Sequence, residues 1–254
     1  MKFVRKQVLT GELFCGVWNN IGSTLTAEMA GLAGFDWVLF DLEHGSADYE
    51  SLVPQMQALE GTGTAPIVRI AWNDPPRFKR VLDLGSSGVM VPWVNNAEEA
   101  RQAARSMRYP PEGIRGVAYL NRATSFTTKF DEYFAAANDN LVTVTQIETG
   151  EAVDNAEEIA AVEGVDVLFV GPLDLSVNLG IPKQFDHPKF KEALSKVVKA
   201  AKSKGKVAGI LLAREEQLEE TVDQGFTFIA LGSDSGAVAS GFRRTMEAFG
   251  RYKK

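Results

Sequence analysis

The chain has 254 residues, 45% hydrophobic and 24% charged, the make-up of a soluble globular protein long enough to bury a core without staples. A formal net charge of -6 argues against a general nucleic-acid binder, which presents a basic face, although a few local cations can still hold an anionic substrate. One cysteine, Cys15, permits no intrachain disulfide, and with no signal-like leader and no apolar run of about 18 residues the expectation is a cytoplasmic protein without a membrane span.

Eight short runs rich in Val, Ile and Phe read as strands that are apolar on both faces, as in a buried parallel sheet. The first, 14–18, holds Cys15, read as a small core residue because no base lies beside it in sequence. The second is 37–41, followed by an amphipathic segment at 48–59 with Asp48 as N-cap. The third is 66–70, followed by a helix over 75–84 that opens on Pro75. The fourth is 89–93, followed by a helix over 97–107 capped by Asn96.

A long connection over 109–140 then breaks the rhythm; it holds a short helical stretch and has the length of a segment that shapes an active site. Strands at 142–147, 165–170, 207–211 and 226–231 follow, with helices at 151–161, 188–203, 215–224 and 235–249. Gly34, Gly85, Gly164, Gly205 and Gly225 each stand where a helix ends just before a strand.

Eight strands alternating with helices predict a single TIM (β/α)8 barrel over 1–254, with a doubly wound open sheet as the alternative. No Gly-rich dinucleotide fingerprint follows the first strand.

In a barrel, chemistry gathers where the strands end. The second strand exits into Asp41-Leu42-Glu43-His44, the third carries Arg69 near its end, and the fifth ends in Gln146-Ile147-Glu148. The sixth is followed by Gly171-Pro172-Leu173-Asp174 and the eighth by Gly232-Ser233-Asp234. Glu148 and Asp174 are metal candidates, since two carboxylates with open positions suit a hard cation such as Mg²⁺ or Mn²⁺; two separate capping or salt-bridged carboxylates are the other reading.

His44 is the base candidate, because Asp41 or Glu43 could orient it; the second histidine, His187, precedes Pro188 and reads as a surface or capping residue. Arg69 in an apolar strand must find a partner, either a substrate carboxylate or oxyanion or a neighbouring acidic side chain. No strand exit carries the lysine a Schiff-base aldolase needs.

These strings, together with Gly34-Phe35-Asp36-Trp37, the run Arg108-Tyr109-Pro110-Pro111-Glu112-Gly113-Ile114-Arg115-Gly116 and Glu163-Gly164-Val165-Asp166, resemble the HpcH/HpaI aldolase family over nearly the whole chain. The resemblance implies a carbon–carbon lyase that reversibly cleaves 4-hydroxy-2-keto acids to pyruvate or hydroxypyruvate and an aldehyde, through an enolate stabilised by a divalent cation (Mg²⁺, Mn²⁺ or Co²⁺). It implies that Glu148 and Asp174 hold the cation, and that Arg69 and Gln146 face the pyruvyl oxygens. Backbone amides of Leu173 and Asp174 in the turn after Gly171 would hold the substrate carboxylate. His44 would do acid–base work with support from Asp41 and from Asp83 of a neighbouring subunit.

Leu211 and the segment around Tyr119, Asn121 and Arg122 would touch the aldehyde end. The expected assembly is a homohexamer in which the C-terminal helix packs on, or swaps with, a partner. A citrate- or malyl-CoA-type lyase and a non-catalytic ligand-binding barrel are the competing functions.

Overall fold

The computed structural model describes residues 2–250 and Tyr252. Eight parallel strands close into one barrel: β1 Phe14–Asn19, β2 Trp37–Asp41, β3 Ala65–Arg69, β4 Gly88–Val91, β5 Val142–Ile147, β6 Val167–Val170, β7 Val207–Leu212 and β8 Phe228–Ser233, with β8 pairing back on β1. Closure excludes the open doubly wound sheet. The helices are α1 Arg5–Val8, α2 Thr24–Leu32, α3 Tyr49–Ala58, α4 Pro75–Asp83, α5 Ala97–Met107, α6 Phe130–Asn140, α7 Gly150–Asp154, α8 Ala156–Ala160, α9 Pro172–Asn178, α10 Pro188–Ser203, α11 Leu218–Gln224 and α12 Asp234–Gly250.

Strand periodicity separates two cores. Inward-facing Phe14, Trp18, Trp37, Leu39, Ile67, Met90, Val144, Phe169 and Phe228 fill the barrel, while outward-facing Val38, Phe40, Val68, Val89, Leu168 and Ile210 pack under the helices. Aromatic rings form the plug: Trp37 stacks on Phe228 with centroids 4.2 Å apart, and its indole N–H donates to the Phe14 carbonyl at 3.1 Å. The ring fits because residue 16 is glycine; a Cβ there would lie 2.0 Å from the indole. At the barrel floor α1 is tied down by Arg5, whose Nε donates to the buried Asp166 at 2.9 Å.

Several expected boundaries move. The helix expected over 151–161 is two short helices, broken at Asn155, whose Nδ2 donates to the Asn95 carbonyl at 2.9 Å. The 109–140 connection contains the full helix α6 and carries three successive left-handed residues, Ser125, Phe126 and Thr127. Cys15 is exposed rather than buried. Its side alternates with the inward-facing Phe14, whereas Val17 and Asn19, farther along the same face of β1, are buried; the residues of α12 after Asp234 are exposed or half-exposed.

Candidate functional site at the carboxyl ends of the strands

Asp41 and Arg69 are register partners at the ends of β2 and β3, so their side chains point to the same side. Arg69 Nε and Nη2 donate to the two oxygens of Asp41 at 2.9 and 2.6 Å, and the indole of Trp18 reaches Asp41 Oδ2 at 3.3 Å. Burial alone would push the Asp41 carboxyl up; the Arg69 hydrogen bonds and charge, with the amides of Glu43 and His44, outweigh it and hold Asp41 below the usual carboxylate range.

Glu43 lies on the other side of the same guanidinium, its Oε2 2.9 Å from Arg69 Nη1 but out of line for a hydrogen bond. Glu43 Oε1 is 3.8 Å from Nε2 of His44, whose side chain is 70% exposed. The acidic neighbour expected for Arg69 is therefore present, in two copies.

Gln146 lies at the end of β5, two strands on from β3, and Glu148 just beyond it. Glu148 is buried and held from two directions: Gln146 Nε2 donates to Oε1 at 2.8 Å, and the backbone N–H of Trp93 donates to Oε2 at 3.1 Å. Burial, joined by the negative charges of Asp174 and Glu43 and opposed by the Trp93 N–H and Arg69, raises its carboxyl from the usual value to about 7. Gly171 is what lets β6 come this close, since a Cβ there would lie 2.5 Å from Glu148 Oε1.

Asp174 stands in the first turn of α9, near enough to act on both Glu148 and Glu43. The site thus holds four carboxylates (Asp41, Glu43, Glu148 and Asp174) against one buried cation, Arg69, and Oε1 of Gln146 is buried with no hydrogen-bond partner.

That donor set fits a hard divalent cation. Glu148 and Asp174 offer oxygen ligands, the local charge is negative in excess, and the buried Gln146 oxygen is left unpartnered while its amide donates to Glu148. Among the described residues no group of three or more His, Cys, Asp or Glu is placed to hold a metal ion.

Leu173 and Leu211 line a cavity of about 620 Å³ with Phe185, Ser233, Ser240 and Arg243, to which Glu148, Asp174 and Arg69 do not contribute. Asp83 is not brought to His44 within the protomer. It closes α4, where its Oδ1 accepts from the buried Arg115 at 2.7 Å. His187 is an N-cap, its Nδ1 accepting from Lys189 N–H at 3.1 Å. The Trp93 amide is a member of the site that the strand exits do not reveal, because a backbone donor has no residue code; Glu43, expected as a group that could orient His44, stands 3.8 Å from its Nε2.

Comparison with known proteins gives one consistent result. The HpcH/HpaI aldolase/citrate lyase family description matches residues 15–241. The chain is 42% identical over 238 residues to the 5-keto-4-deoxy-D-glucarate aldolase of Enterobacter sp. (strain 638), covering 94% of this chain and 93% of that one. It is 43% identical over 234 residues to the protein of that name from Salmonella paratyphi A, covering 92% and 91%. Among solved structures, a HpcH/HpaI aldolase/citrate lyase family protein from Burkholderia cenocepacia J2315 superposes with a TM-score of 0.92 at 31% identity, covering 96% of this chain and 98% of that one.

Proposed function

Because this chain belongs to the HpcH/HpaI aldolase/citrate lyase family, we propose that it is a divalent-metal-dependent aldolase that reversibly splits a 4-hydroxy-2-keto acid into pyruvate, or hydroxypyruvate, and an aldehyde. A keto acid derived from a sugar acid, of the 5-keto-4-deoxy-D-glucarate type named for its relatives, is the substrate class. The observation that carries the reading is the buried carboxylate Glu148, aligned by Gln146 and Trp93 and faced by Asp174 and the Arg69–Asp41 pair at the open end of the barrel.

Glu148 and Asp174 would hold the cation (Mg²⁺, Mn²⁺ or Co²⁺). When bound, it supplies Lewis acidity next to the carboxylate and keto oxygens of the substrate. Arg69 and Gln146 hold the pyruvyl oxygens, and the amides of Leu173 and Asp174 hold the substrate carboxylate; Pro172 has no N–H to give. His44, on the exposed lip, takes the proton from the C4 hydroxyl. The C3–C4 bond breaks, an aldehyde leaves past Leu211, and the pyruvate enolate is left beside a guanidinium that Asp41 keeps charged and fixed. Protonation yields pyruvate; synthesis is the reverse.

Two apolar stripes support assembly into a homo-oligomer, a hexamer as the resemblance implies. Val238, Phe242, Met246 and Phe249 recur at helical spacing on α12, and Leu25, Met29 and Leu32 do so on α2, all exposed. We assign both stripes to contact with second copies of the chain, with α12 packing on a partner; Asp83 would serve a neighbour's His44 across such a contact.

The test follows the methyl protons of pyruvate by NMR in D2O, with Mg²⁺ or Mn²⁺ and then with chelator. Exchange that needs the cation supports the aldolase reading without any guess about the aldehyde. No exchange of either pyruvate or hydroxypyruvate under any of the three cations would sink it.

A further inference from the structure

Asp234, the first residue of α12, is 9% exposed and is the one acidic group at the eighth strand exit that the chemistry above does not use. Its Oδ1 accepts the backbone N–H of Asn20 at 3.0 Å and of Ser235 at 2.7 Å, and its Oδ2 accepts the Thr26 hydroxyl at 2.8 Å. The Ile21 N–H stands 3.4 Å from both oxygens. Capping α12 does not explain this, because the Gly236 N–H is taken by Ser233 Oγ at 3.0 Å. Asp234 is instead turned to another element, clasping the connection after β1 and the first turn of α2.

The constraint passes on to His44. The Asn20 carbonyl accepts the N–H of Ser46 at 2.9 Å. From the other side Asp41 Oδ1 accepts the N–H groups of Glu43 at 3.0 Å and His44 at 3.2 Å. Between them Gly45 leaves no slack, since a Cβ would lie 2.3 Å from the Asp41 carbonyl and 3.2 Å from that of Asn20. Among the described residues the imidazole has one ionic contact, Glu43 at 3.8 Å. The place of His44 is therefore set by the backbone beneath it, hung at one end from Asp41 and at the other from Asn20 and, through it, from Asp234.

We propose that Asp234 is a positioning residue for His44, and that through it the root of the C-terminal helix sets the geometry of the base-bearing loop. The effect on turnover rests on the acid–base assignment of His44; the effect on loop geometry does not.

The experiment uses full-length wild type, Asp234→Ala and Asp234→Asn with ¹³Cε1-labelled histidine. The chain has two histidines, so His187 serves as the internal control. In Asp234→Ala the His44 signal is expected to shift or broaden while His187 stays put. The kcat for aldol cleavage should fall roughly 10- to 100-fold with KM changed less than about twofold. Asp234→Asn, which keeps an accepting oxygen, should restore both.

An unmoved His44 signal in Asp234→Ala overturns the proposal whatever the activity. A moved signal with wild-type kcat upholds the positioning and removes His44 from the chemistry instead. If Asp234→Ala fails to fold, Thr26→Val, which deletes one hydroxyl of the clasp, must still shift His44 by a smaller amount; no shift there is equally fatal.

Discussion

The backbone N–H of Trp93 donates to Glu148 Oε2 at 3.1 Å from a residue whose φ of 53° lies in the left-handed region. A bulky residue in that region carries strain of order 1 kcal/mol or more, so the surrounding structure holds this amide on the carboxylate against a local preference.

Glu148→Gln keeps one accepting oxygen, enough for the Gln146 amide or the Trp93 N–H but not for both, and should weaken Mn²⁺ binding by at least about 10-fold, because a neutral amide replaces an anionic ligand. Titration calorimetry with Mn²⁺ reads this directly. Wild-type affinity in Glu148→Gln would remove Glu148 from the metal site.

The raised carboxyl of Glu148 also fixes a pH dependence for the cation-free protein. A folded-state value of about 7 against an ordinary value of 4.5 means that the folded state binds the extra proton. This contribution to stability is whole below pH 4.5 and is lost as pH climbs to about 7, amounting to roughly 3 kcal/mol over that window. Urea unfolding between pH 5 and 8 should show the decline, and Glu148→Gln should flatten it. Loading the cation at pH 6 should release close to one proton, and at pH 8 almost none.

Arg69→Ala leaves Asp41 and Glu43 buried without their cation. The expected cost is about 3–5 kcal/mol of unfolding free energy, together with loss of methyl exchange. Arg69→Lys should recover part of the stability but little of the exchange, because an ammonium cannot reproduce the two-point contact with Asp41. Chemical denaturation alongside the exchange assay separates the two effects.

His44→Ala should leave Tm and Mn²⁺ affinity near wild type, since the side chain is largely exposed, while aldol cleavage slows by about 10²- to 10⁴-fold. A steady-state assay coupled to pyruvate formation is sufficient.

Phe242→Asp with Met246→Asp places two charges on the apolar stripe of α12. Sedimentation should then give a mass below that of the wild-type assembly, with a Tm that falls on dilution. A wild-type mass would reassign the stripe.

Much of the scaffold is legible in the residues because its punctuation is steric. Gly34, Gly85, Gly164, Gly205 and Gly225 all adopt positive φ, and Asp48 and Asn96 accept the amides expected of N-caps. Glu148, Asp174, Arg69 and Asp41 could be found because strand ends on one rim converge.

Other features follow from neighbours rather than from local sequence. Cys15 sits in a run that resembles its buried counterparts, yet it alone in that strand is exposed. The segment of α2 is apolar on its outer side too, so it lacks the contrast by which a surface helix is recognised. The roles of the Trp93 amide and of Asp234 arise from hydrogen bonds across 55 and 214 positions of chain, a separation that no local pattern encodes.

The aromatic plug has a kinetic consequence. With Phe14, Trp37, Phe169 and Phe228 filling the barrel beneath Trp18 and Arg69, the site is a blind well, and every molecule arrives and departs through the same mouth. In the proposed reaction, cation, keto acid and aldehyde would form a queue in which the last to enter is the first to leave: the aldehyde would depart before pyruvate, and pyruvate in excess would hold the door against the next substrate.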